Sequence, residues 1–197
     1  MRSTGPSTSV ARAAVVLGIA LLLATTLASD GPAAPGRAEA PRHGAAEPRW
    51  TETAWPFPMD QWGTGRAFRC AAADCGSDIA VYVRPKIGFC NCTTGVADDE
   101  EMDRVGDVDL LAPAYGPAES GRPHPVGDMV GWSRAYALGA RRDPAGIVLA
   151  VAFSAQCNVM VATAVGGDGI TPAVRDRVRA FLDAAPTLAW ARRLLGS

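Results

Sequence analysis

Histidine, lysine and complete catalytic motifs are what this chain has least of, and each scarcity excludes something. It has two imidazoles, His43 and His124. A Ser–His–Asp or Cys–His nucleophile would have to be built on one of them. His43 lies in a Pro/Ala-rich stretch. His124 stands between Pro123 and Pro125 and reads as an exposed loop residue. No Gly-x-Ser-x-Gly elbow, Walker-A loop, Gly-x-Gly-x-x-Gly turn or Cys-x-x-Cys pair occurs. With no catalytic constellation complete, no catalytic residue is assigned, and enzyme is the less favoured class. No internal repeat is visible. Positive charge is also short: the formal net charge is −1, and residues 41–197 carry 16 basic against 18 acidic side chains. A nucleic-acid partner would reward a basic surface that this chain does not have. The single lysine, Lys86, against eighteen arginines reads as compositional bias.

Only one apolar run is long. Residues 13–28 (AAVVLGIALLLATTLA) follow Arg2 and Arg12 and precede small residues, the layout of a secretory signal. Sixteen residues fall short of the roughly 20 needed to cross a bilayer, so a cleaved signal with its cut within 28–40 is expected rather than an anchor. Residues 29–54 are rich in Pro, Gly and Ala without an apolar period and read as a linker. One domain is expected over 55–197, long enough for a real core.

What the chain does have is a cysteine cluster. Cys70, Cys75, Cys90 and Cys92 fall within twenty-three residues, the last two as Cys-x-Cys, and Cys157 stands apart. Export implies oxidising conditions, so a disulfide framework among the first four is the leading reading. Pairs linking Cys70 and Cys75 to Cys90 and Cys92 would close loops of about fifteen to twenty residues, worth about 3 kcal/mol each. The third pairing, Cys70–Cys75 with Cys90–Cys92, needs a strained and readily reduced ring across one residue and would instead suit a thiol oxidoreductase. The metal alternative uses Cys90 and Cys92, helped by Cys70, Cys75 or Cys157, to hold Cu(I) or zinc. The usual Cys-x2-Cys zinc knuckles are absent. Cys157 is a small buried hydrophobe if its segment is one strand, and exposed if residues 154–158 form a turn.

Seven acids crowd residues 98–109, beginning Asp98, Asp99, Glu100 and Glu101. Their spacing is not that of an EF-hand, and a solvated face of a short helix over 97–105 is expected. This segment and the Pro/Gly-rich loop 112–128 are the expected contact surfaces for a protein partner. Gly166-Gly-Asp-Gly169 reads as a strand-to-helix connection.

Periodicity supplies the fold. Residues 79–89 alternate as a strand or bent strand, with Pro85 marking an edge or bulge. Residues 129–138 and 147–153 flank an Asp143-Pro-Ala-Gly146 turn as a hairpin. Residues 159–165 form a third apolar run. Thr171-Pro172 is a helix start, and Val174, Val178, Phe181 and Leu182 make its buried face, with Arg175, Asp176, Arg177 and Arg179 largely off it. Pro186 separates a second helix over 187–195. The expected class is α+β: an antiparallel sheet with C-terminal helices on one side, preceded by a Cys-rich segment. The expected role is an exported, soluble, disulfide-stabilised binding or accessory protein, with metal binding and thiol redox chemistry as alternatives.

Overall fold

A computed structural model describes residues 48–140 and 143–197. The segment expected as a signal, most of the stretch expected as linker, and residues 141–142 lie outside that range. Eight strands form one antiparallel sheet: β1 (Thr51–Thr53), β2 (Arg66–Cys70), β3 (Ile79–Lys86), β4 (Tyr115–Pro117), β5 (Arg122–Pro123), β6 (Val130–Ala140), β7 (Asp143–Ala155) and β8 (Asn158–Gly166). Their spatial order is β1-β2-β3-β8-β7-β6-β4, with β5 also on β6. Among the described residues, four α-helices, α1 (Ala72–Cys75), α2 (Asp99–Val105), α3 (Pro172–Asp183) and α4 (Ala185–Leu195), and a 3-10 turn at Val108–Leu110 complete the fold.

The central strands are buried on both faces, and their side chains alternate between two cores. Ile79, Val81, Val83, Leu149, Val151, Phe153, Met160, Ala162 and Ala164 meet α3 and α4 through Val174, Val178, Phe181, Leu182, Ala191 and Leu195. The other face gathers Tyr136, Val148, Ala150, Ala152, Val159 and Val161 against Met102 and Val105 of α2 and Val108. The sheet with its C-terminal helices is the architecture expected from the sequence. The second core, under α2, is what makes the apolar runs of β7 and β8 continuous rather than alternating.

Local chemistry sets the elements. The Thr171 hydroxyl accepts from Val174 N at 3.3 Å to cap α3, and Pro172 sits in its first turn. Asp98 caps α2 by accepting from Glu101 N at 2.8 Å. Pro186 lies in the first turn of α4, which therefore starts two residues before Thr187. Pro85 falls beyond the last β2–β3 pair, Arg66 with Val83, where β3 has become a sheet edge.

Two boundaries differ from expectation. The fold begins by Trp50, whose ring packs 4.6 Å from Phe181, and β1 lies inside the stretch expected as linker. Three residues without an apolar period become a strand because β2 offers an edge to pair. The Asp143-Pro-Ala-Gly146 segment is strand, not turn: Asp143 pairs with Ala140 and Pro144 with Gly139, with a register shift at Leu138/Gly139. That irregularity absorbs the proline and glycine, so the hairpin is longer than its turn residues suggest.

Candidate functional site

The disulfides follow none of the three pairings of Cys70, Cys75, Cys90 and Cys92 in full, although Cys70–Cys75 belongs to one of them. Cys70 bonds Cys75 across α1, and Cys92 bonds Cys157, leaving Cys90 as a buried free thiol. The reason is topological. Gln156 and Cys157 form the two-residue turn between β7 and β8, where Ala155 pairs with Asn158 and Gln156 takes φ 56°. The loop after β3 runs beside that turn, with Cys90 N donating to Cys157 O at 3.3 Å. Cys157 is thus the turn residue of the two alternatives, and it takes the partner expected for Cys70 or Cys75. The second bridge spans 65 residues and ties the α2-side loop to the sheet. With Cys70, Cys75, Cys92 and Cys157 bridged, four of the five sulfurs proposed as copper or zinc ligands hold no thiolate. Among the described residues, no group of three His, Cys, Asp or Glu side chains is placed to hold a metal ion. Burial first, and then Glu101, pushes the Cys90 thiol above its ordinary pKa.

The acidic segment is engaged rather than simply solvated. Asp99 Oδ1 accepts from Gly121 N at 2.9 Å and from Trp132 Nε1 at 2.7 Å. Glu101 accepts from Asn91 N at 2.8 Å and pairs with Arg104. Asp103 accepts from Arg134 at 2.9 Å and from the Tyr136 hydroxyl at 2.5 Å. These carboxylates staple two loops to the sheet. Gly121 is where this requires glycine: a Cβ there would lie 2.1 Å from both Asp99 Oδ1 and Trp132 Nε1. Glu100 remains on the exposed side.

The same side of the sheet buries a charge network. Arg84 donates to both carboxylate oxygens of Asp107 (Nε 2.7 Å, Nη2 2.8 Å), and to Asp60 (2.8 Å) and Gly63 O (3.3 Å) through Nη1. Lys86 donates to Val105 O at 2.8 Å and pairs with Asp107 at 2.6 Å. Arg84, Lys86 and Asp107 are each at most 5% exposed. They floor a groove of ≈240 Å³ that Trp62 and Phe89 flank. The fork of Arg84 is filled, so this groove is a satisfied structural network.

The opposite side holds a different kind of cavity. It encloses ≈300 Å³ between β5, β6, β7 and the start of α3, with Arg122, Arg175 and Arg179 around it, Asp176 beside them, and Ser133 and His124 buried within. Leu149 and Pro172 supply its apolar wall. Sequence placed His124 on an exposed loop; it is 4% exposed. Two contacts bury it. His124 N donates to Gly131 O at 2.8 Å, extending the β5–β6 pairing, and α3 packs nearby. Gly131 permits this approach, since a Cβ there would lie 2.4 Å from His124 O.

Two buried nitrogens of residues that line this cavity have no hydrogen-bond partner among the described residues: His124 Nε2 and Arg175 Nη1. The other two orphans, Trp55 Nε1 and Thr163 Oγ1, do not line it. Burial, then the nearby Arg179, lowers the His124 pKa to about 4, with Arg122 and Arg175 in the same direction and Asp183 opposing. The imidazole is therefore neutral at pH 7. Arg175 is only half used: Nη2 donates to Glu119 at 2.8 Å, while the buried Nη1 has no partner among the described residues. Thr171 already caps α3, and Pro172 has no N–H, so the helix end adds little beyond its dipole.

Sequence reasoning found neither Arg122 nor the α3 arginines as site residues. The available signal was Arg175 and Arg179 at i and i+4 on the polar side of an amphipathic helix. Nothing local linked them to His124. Gly166-Gly-Asp-Gly169 is the expected connection, closed by Gly169 N donating to Gly166 O at 3.1 Å and anchored by Ser77 Oγ donating to Asp168 at 3.1 Å. Neither a protein-family model nor a curated protein matches this chain.

Proposed function

We propose that this is an exported, disulfide-stabilised binding protein whose ligand is a small anionic solute, held without chemistry in the cavity beside α3. One observation carries the reading. Two buried nitrogens, Arg175 Nη1 and His124 Nε2, lack partners among the described residues and belong to side chains that line a cavity shared with Arg122 and Arg179. A buried donor left unmade costs about 1–3 kcal/mol, more when charged, and native proteins rarely leave one without a use. An oxyanion supplies what both lack, and Arg is suited to taking it in a planar fork. The cavity lies at the lower end of the size range of ligand pockets, which points to a metabolite-sized solute. Export is supported by the signal-like N-terminus, and the two disulfides suit an oxidising compartment. No described helix is long and apolar enough to cross a membrane.

Calorimetric titration of the oxidised chain with monocarboxylates, dicarboxylates and inorganic phosphate tests the reading. At least one class binds, and Arg175→Ala with Arg179→Ala abolishes the heat. Silence across the panel, or binding untouched by that double variant, removes the proposal.

The thiol reading keeps one specific support: the Cys92 end of the Cys92–Cys157 bridge is exposed and stands two residues from a free thiol. The raised pKa of Cys90 lowers its thiolate fraction and places this reading second. A protein able to oxidise a dithiol peptide, with loss on Cys92→Ser, would reverse the order.

A further inference from the structure

We infer that the ligand of the α3-side cavity is a zwitterion of the α-amino-acid type, its carboxylate on the arginines and its ammonium on Asp176. The inference rests on the anion-binding reading and narrows it. Asp176 lines the same cavity as Arg122, Arg175 and Arg179. It follows Arg175 directly and precedes Arg179 by three residues on α3. Among the described residues, it nevertheless makes no ion pair or hydrogen bond to either.

Elsewhere in this molecule the same spacing closes. Glu101 and Arg104 pair at 2.5 Å, and Glu119 and Arg122 at 3.5 Å, each at i and i+3. Opposite charges three residues apart on a helix attract, yet Asp176 and Arg179, both exposed along the cavity, do not pair with each other. Arg179 has no other ion pair among the described residues either. The cavity is therefore lined by three guanidinium groups and by one exposed carboxylate, Asp176, which has no side-chain partner among the described residues.

A simple anion would satisfy Arg175 Nη1 and His124 Nε2 but meet Asp176 as a like charge. A cation would reverse the problem. A molecule carrying both charges a few bonds apart answers each group. Neutral His124 and the buried Ser133 hydroxyl add uncharged hydrogen-bonding capacity. Leu149 and Pro172 favour an apolar side chain over a second charge.

The test is calorimetry at pH 7 on the full oxidised chain with matched pairs that differ only in the amino group: alanine and propionate, norleucine and hexanoate, leucine and 4-methylpentanoate. Hexylamine and inorganic phosphate complete the set. The zwitterion of at least one pair is expected to bind about tenfold tighter than its acid, a difference of ~1.4 kcal/mol. Asp176→Asn, an exposed helix position, should erase that advantage while leaving the acid's affinity unchanged or improved. An acid that binds as well as its amino acid in every pair, or an advantage that survives Asp176→Asn, overturns the inference and leaves the anion reading standing. Phosphate binding alone does the same. No heat from any compound removes both.

Discussion

The two faces of the sheet bury charge in opposite ways. Under α2, Arg84, Lys86 and Asp107 are almost wholly buried, and Arg84 and Lys86 are both matched to oxygens of the protein itself. Beside α3, a guanidinium nitrogen and an imidazole nitrogen are equally buried and matched to nothing among the described residues. Both faces have a groove or cavity of similar size, so volume does not distinguish them. Satisfaction does. A closed network stabilises one arrangement of the chain. An open one leaves groups for the proposed ligand to match.

The largest expected effect probes the closed side. Arg84→Ala takes both guanidinium hydrogen bonds from the buried Asp107 carboxylate and leaves it to Lys86 alone; it should lower the unfolding free energy by about 3–5 kcal/mol, read as a shift in denaturant midpoint. A change under 1 kcal/mol would show the network to be solvated, and the contrast between the faces would collapse. Next is the bridge that ties the α2-side loop to the sheet. Replacing Cys92 and Cys157 with Ser releases a loop of 65 residues, expected to cost about 4 kcal/mol. The same exchange at Cys70 and Cys75, five residues apart, should cost about 2 kcal/mol. An equal loss from both would mean that the bridges act through native contacts rather than chain closure.

Stability against pH probes the open side. The folded pKa of His124, about 4, lies below its ordinary 6.5. As pH falls through 6.5, the unfolded chain takes up a proton that the folded chain refuses until about pH 4. The His124 contribution is therefore complete above 6.5 and drains away between 6.5 and 4, by up to about 3 kcal/mol. His124→Gln should flatten that slope. A slope unchanged in this variant would place the imidazole in solvent. The smallest effect on stability is at Arg179, which is exposed and has no ion-pair partner among the described residues. Arg179→Ala should change stability by less than about 0.5 kcal/mol while weakening anion binding severely, the inverse of Arg84→Ala.

What was legible in the sequence was local. The Thr171-Pro172 start of α3, its Val174–Val178–Phe181–Leu182 face, the apolar run of β8 and the acid-led start of α2 all depend on residues within a few positions of one another, and those elements stand as expected. What was hidden depends on pairing across the fold. Cys157 could take Cys92 only because the β7–β8 turn lands beside the loop after β3. The Asp143–Gly146 segment, rich in turn residues, was carried into strand by its partner β6. His124 became buried because β5 lies on β6 and α3 covers that edge. The cavity joins residues 122 and 124 to residues 175, 176 and 179, about fifty positions apart, with no periodicity linking them. The charges of α3 were visible as a polar face, but their role as a wall was not.

The most direct test of the contrast between the faces is a side-chain nitrogen NMR titration. The uniformly labelled, oxidised chain is observed at its arginine Nε and histidine ring nitrogens while a binding carboxylate is added. The account predicts that His124, Arg175 and Arg179 shift together and saturate with one constant, while Arg84 stays still. Shifts centred on Arg84, or none at His124 and Arg175 when binding is saturated, would contradict it.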